Sequence, residues 1–171
     1  MKRVRFGHRG ARLLLASLLL LCVGAMDIKA QSCEGRVCLK NGMRLLYAGD
    51  DRMDVPSKKH DVRVYRRFFS SACQRDVVPY DRIDSVVVWN SAAPDAVRLL
   101  VPLEGVGWSW LYAGCPRMLV YVYASQGYSL SAQGGIRAWQ GNRFSALFLI
   151  PGKTACDFYV QRPGEKPVCL G

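Results

Sequence analysis

Histidine is nearly absent from this sequence: among 171 residues only His8 and His60 occur. That scarcity speaks against a histidine-based metal site, and it leaves a Ser–His–Asp or Cys–His enzyme one candidate base beyond residue 30, His60. No G-x-S-x-G elbow and no phosphate-cradling glycine loop is present, so two common routes to hydrolysis and nucleotide chemistry lack their motifs. There is no C-x-x-C pair, which weakens a thioredoxin-like redox site and a zinc ribbon alike. The Asp-rich segment 49–54 lacks the alternating oxygen ligands and distal Glu of an EF-hand. Metal ions and cofactors are therefore not expected.

Long apolar runs are missing too. The longest uncharged stretch near the start, residues 13–26, has 14 residues, short of the roughly 20 that cross a hydrocarbon core. It follows Lys2, Arg3, Arg5, Arg9 and Arg12 with no acid among them. A basic start, a short apolar run and small residues at Ala25 and Ala30 make residues 1–30 a cleavable secretory signal. Cleavage after Ala30 leaves Gln31 first; cleavage after Ala25 is the alternative. Cys22 and Cys33 fit a lipobox poorly. An exported chain in the periplasm, at the cell surface or in the medium is the expectation, with no membrane span.

The remaining residues, 31–171, suit a single domain. Their 18 basic and 12 acidic side chains leave +6 where the full sequence carries +11. Scattered charge of this size is ordinary surface chemistry and does not indicate specific nucleic-acid binding. Six cysteines follow the leader: Cys33, Cys38, Cys73, Cys115, Cys156 and Cys169. An even number in an oxidising compartment predicts disulfide bracing, with the pairing left open.

Helical periodicity is not sustained anywhere past the leader, whereas short β-rich runs and turn signals recur. Asn41-Gly42 between alternating apolar residues predicts a hairpin with a type I′ turn. Residues 49–59 read as a polar connection. Strands are predicted over 61–69, 85–89 and 97–103, where Pro102 suggests a strand end or sheet edge. A second hairpin is predicted over 107–112 and 117–124, and further strands over 136–139, 144–150 and 157–161, with a short run through Val168. The whole reads as an antiparallel β-sandwich or barrel of short strands. Residues 42–55 and 107–120 share eight of 14 positions, which suggests an internal duplication.

The most suggestive binding feature is aromatic. Alternation along a strand places Trp108, Trp110 and Tyr112 on one face, and a four-residue turn would set Trp108 opposite Tyr121. These four residues are the candidate binding face, with burial in the core as the competing role. His60 and the clusters Asp50, Asp51, Asp54 and Asp81, Asp84 read as exposed or salt-bridged surface. The sequence thus points to a non-enzymatic exported β module that binds a protein, a glycan or an envelope component. A small secreted hydrolase and an inhibitor of an extracellular enzyme are the alternatives.

Overall fold

The computed structural model describes residues 32–68, 71–140, 143–146 and 156–170. The expected leader and its cleavage sites, the Gly141-Asn142 turn, residues 147–150 and the Pro151-Gly152 turn lie outside these residues.

The described chain is built of antiparallel strands and one 3-10 turn, Tyr80–Arg82, with no α-helix. In chain order the strands are β1 (Ser32–Leu39), β2 (Arg44–Tyr47), β3 (Asp51–Asp54), β4 (Val62–Phe68), β5 (Ser71–Val78), β6 (Ile83–Asn90) and β7 (Ala93–Leu103). They continue as β8 (Gly107–Cys115), β9 (Met118–Ala124), β10 (Tyr128–Leu130), β11 (Ile136–Gln140), β12 (Arg143–Ala146), β13 (Cys156–Gln161) and β14 (Val168–Cys169). Among these residues no helix is long and apolar enough to cross a membrane.

β1 is the strand on which the fold turns. Its first residues pair with β3, Cys33 opposite Met53, while Glu34–Leu39 pairs with β6 and, on the other side, Gly35–Cys38 pairs with β2. One path of hydrogen-bonded strands therefore runs β14-β13-β9-β8-β7-β6-β1-β3-β4-β5. The β3-β4-β5 end folds back over the sheet, and the sulfur of Met53 sits where a side chain at Gly35 would be. Among the described residues β5 and β14 are not paired with each other, so the sheet is open, consistent with a sandwich. A separate sheet, β10-β11-β12, completes the described structure.

The core follows from strand register. Val37 pairs with Leu45 and Val86, Val86 with Leu100, Leu100 with Trp110, Trp110 with Val122, and Val122 with Phe158. Paired residues point to the same face, so this apolar row crosses seven strands. Its middle members Val37, Val86, Leu100 and Val122 are fully buried. From the β3-β4 side, Met53, Val62 and Val64 close onto the same core.

Four expectations need correction. The β1–β2 hairpin is present, but Asn41 has no positive φ. Instead Gly42 alone turns left-handed at +85°, Gly42 N–H donates to Leu39 O, and Leu39 N–H donates to Met43 O. This is a three-residue loop with a single left-handed residue. The polar connection 49–59 contains β3, whose inward Asp51 and Met53 alternate with outward Arg52 and Asp54; charged residues at both ends mask the pattern. The matching segments 42–55 and 107–120 fold differently. Leu-Tyr-Ala-Gly lies within strand β8 in the second but ends β2 and enters a turn in the first, where Gly49 has φ +70°. Finally, no disulfide joins Cys33, Cys38, Cys73, Cys115, Cys156 or Cys169. Cys73 and Cys169 lie on β5 and β14, the opposite ends of the strand path, and Cys115 lies at the β8–β9 turn.

Candidate functional site

The β8–β9 hairpin closes through Pro116-Arg117, with Cys115 opposite Met118, and a bulge lies between Leu111 and Ala113. The shorter turn and the bulge set the register. Trp110 faces Val122, and Leu111 faces Tyr121. A slip of one residue carries a side chain to the opposite face, so Tyr121 lies on the other side of the sheet from Trp110. There it is buried beside Tyr159, its partner on β13.

The four aromatics accordingly separate. Trp108 is 0% exposed and belongs to the core. Trp110 is half-buried against that core, and Tyr112 is 44% exposed. Trp110 and Tyr112 stack edge to face, with centroids 5.4 Å apart and ring planes at 87°, a favourable aromatic geometry. Met118, at the hairpin end, is exposed as well. The open part of the face is thus the Trp110–Tyr112 pair.

Trp108 organises a second place. Its Nε1–H donates to the carbonyl of His60 (2.9 Å), its backbone N–H donates to Lys58 O (2.6 Å), and its ring meets Tyr80 edge-on. Gly107, with φ +131°, leaves room for Lys58 O where any side chain would collide. The loop between β3 and β4 is thereby held against the start of β8. It walls a cleft of about 340 Å³ lined by Asp54, Ser57, His60, Asp61 and Arg63 on one side and Gly127 and Tyr128 on another. Burial holds the Asp54 carboxyl above the ordinary carboxylate range, against the opposing effects of the Tyr65 hydroxyl and the Arg63 charge. Tyr65 donates to Asp54 Oδ2 at 3.3 Å, and Asp61 Oδ1 accepts the Tyr80 N–H at 2.9 Å. His60 contributes its carbonyl to the fold, and its residue is exposed.

The remaining acids divide. Asp51 is 6% exposed and not a surface residue. Arg66 donates to it through Nε at 2.9 Å, and Arg75 pairs with its other oxygen. Arg75 also lies over the Tyr47 ring, whose hydroxyl donates to Asp76. Asp50, Asp81 and Asp84 are exposed. Among the described residues no group of three or more His, Cys, Asp or Glu is placed to hold a metal ion.

Two features escaped the sequence reading. The cleft joins residues 54–63 to residues 126–128, and only tertiary packing brings them together. Arg98 sits in the apolar run Ala96–Leu100, where residues of both parities are hydrophobic and no alternation reveals its face. No protein-family model, curated protein or solved structure matches this chain.

Proposed function

We propose that this is an exported, non-enzymatic β module that binds a glycan, protein or other envelope component through the Trp110–Tyr112 face. The observation that supports this reading is the stacked pair itself. Trp110 is half-exposed within an otherwise largely buried apolar row, and Tyr112 stands exposed beside it toward the hairpin end. Large aromatics left open on a rigid sheet offer contact area with little ordering cost, which suits recognition. The basic, apolar start of the chain supports export, and the +6 charge of residues 31–171 favours anionic envelope surfaces.

The test is sedimentation of purified residues 31–171 with insoluble cell-wall glycan. Wild-type protein and Arg44→Gln, on the far strand β2, should pellet together. Tyr112→Ala should stay in solution while keeping its melting curve. Equal retention of Tyr112→Ala would overturn the aromatic reading.

A hydrolase is the second reading, favoured by the cleft in which Asp54, His60 and Asp61 meet. A carboxyl raised by burial is a candidate general acid. Turnover of chromogenic glycosides or esters, abolished by Asp54→Asn, would replace the binding proposal with this one.

A further inference from the structure

We infer that the ligand of the Trp110–Tyr112 face is an acidic saccharide, whose carboxylate pairs with Arg98 while its ring packs on the aromatics. This deepens the binding reading above and rests on it.

The position of Arg98 follows from register. Arg98 pairs with Val88 on β6, and Leu100, two residues along β7, pairs with Trp110 on β8. Residues two apart share a face, so Arg98, Leu100 and Trp110 all project to the inner side. Arg98 is the diagonal neighbour of Trp110, displaced toward Tyr112. Diagonal pairs are within reach of long and aromatic side chains.

Its surroundings do not satisfy it. Val88 and Leu100, which flank it across and along the sheet, are fully buried apolar residues. The Nε of Arg98 is buried and has no hydrogen-bond partner. One Nη1 hydrogen bond returns to the carbonyl of its own neighbour Val97, at 2.9 Å. Among the described residues no carboxylate lies within ion-pair distance of it, whereas Arg52, Arg66, Arg75 and Arg162 each have one. A guanidinium donor left unpaired beside apolar side chains is costly, and an incoming anion removes that cost.

The geometry also limits the route of approach. Ala96, two residues before Arg98, occupies the place that a side chain on Gly134 of the β10–β11 loop would fill. That end of β7 is covered, whereas Tyr112, two residues beyond Trp110 on the neighbouring strand, is exposed. A ligand arriving there meets an aromatic pair first and a guanidinium next.

An acidic sugar fits this combination. The C–H face of a pyranose is apolar and packs on an aromatic ring. A uronate carboxylate is planar and matches the guanidinium fork. A protein partner would need roughly 800 Å² on each side, whereas the open aromatic surface here is one exposed tyrosine and part of one tryptophan.

Calorimetric titration of residues 31–171 with hexagalacturonate, maltohexaose and an oligoaspartate peptide at fixed salt tests the inference. Hexagalacturonate should bind, and maltohexaose should bind about tenfold or more weakly, as for loss of a hydrogen bond to a charged group. Arg98→Gln should remove that preference, Arg98→Lys should restore only part of it, and Arg44→Gln should leave it intact. Melting curves of each variant identify any loss through unfolding; if Arg98→Gln does not fold, the Arg98→Lys result decides. Equal binding of both saccharides, or an unchanged acid preference in the folded Arg98 variant, overturns the role of Arg98. Loss of that binding in Tyr112→Ala would still leave the aromatic reading standing. Oligoaspartate binding without saccharide binding overturns the saccharide and points to an acidic protein. No binding of any of the three overturns the inference, and the wall-glycan sedimentation then decides the broader reading alone.

Discussion

The indole Nε1–H of Trp108 donates to the carbonyl oxygen of His60 across 48 positions of sequence, at 2.9 Å. The bond uses the backbone of His60, so its imidazole has no part in it. Trp108→Ala should therefore cost about 3–5 kcal/mol, the range for truncating a large buried aromatic. Trp108→Phe should cost less, about 1–3 kcal/mol, because it leaves the His60 carbonyl without its donor. His60→Ala should stay within about 0.5 kcal/mol of the parent, as for ordinary surface substitutions. Urea denaturation measures all three. A large loss in His60→Ala would show that the side chain matters.

Trp110 and Trp108 share a face but not an environment. Trp110→Ala should destabilise clearly less than Trp108→Ala, because part of the ring already meets solvent and the lost burial is smaller. Tyr112→Ala should change the midpoint hardly at all. Equal losses at positions 108 and 110 would place both rings in the core and remove the open face.

Asp51 joins Arg66 and Arg75 from a buried position. Asp51→Ala should cost about 1–3 kcal/mol by leaving two cations without their acceptor. The loss stays below that of a fully buried pair, since both arginines are about two-fifths exposed and water can reach them. Double-mutant cycles with Arg66→Ala and Arg75→Ala should recover the coupling. Neutral behaviour of Asp51→Ala would contradict the buried network.

Asp54 has its carboxyl raised above the ordinary 3.8 by burial. The folded state then holds its proton more tightly than the unfolded state. This contribution makes stability fall as pH rises from 3.8 through the folded value, and the penalty is fully present above it. Asp54→Asn should thus stabilise the protein at neutral pH, and the gain should shrink as pH falls through that window. Thermal melts of both proteins from pH 7 downward provide the comparison. A gain that grows toward low pH has the wrong sign for a buried carboxyl.

The cysteines should label in order of exposure. Cys73, Cys115 and Cys169 are exposed and should react with iodoacetamide in the native protein. Burial pushes the thiol of Cys156 up to about 11 and that of Cys33 further still. Both should react only on unfolding, because the thiolate is the nucleophile. Since no disulfide is formed among the described residues, reductant should leave the melting temperature unchanged. A clear drop would reveal a bond that the structure lacks.

Much of the strand pattern was readable along the chain. The hairpin around Asn41-Gly42, the β-branched run of β6 and the aromatic hairpin β8–β9 all carry local signals of alternation, propensity and turn residues. Strands β3 and β5 did not, because Asp51, Arg52, Asp54, Arg75 and Asp76 put charges where a strand pattern is sought. The bulge was equally hidden: one extra residue between Leu111 and Ala113 decided whether Tyr121 shared a face with Trp110.

By itself, then, the sequence determined the antiparallel β class, the scarcity of histidine chemistry and the export-like start, since composition and local periodicity are properties of neighbouring residues. Only the tertiary structure decided that Trp108 is core while Tyr112 is open, that Asp51 is buried, that the cysteines stand apart and that Arg98 lies beside Trp110. Each of those outcomes depends on register and on the folding of the β3-β4-β5 end back over the sheet. A single-residue shift in pairing reverses a face, and no local signal in the chain sets that shift.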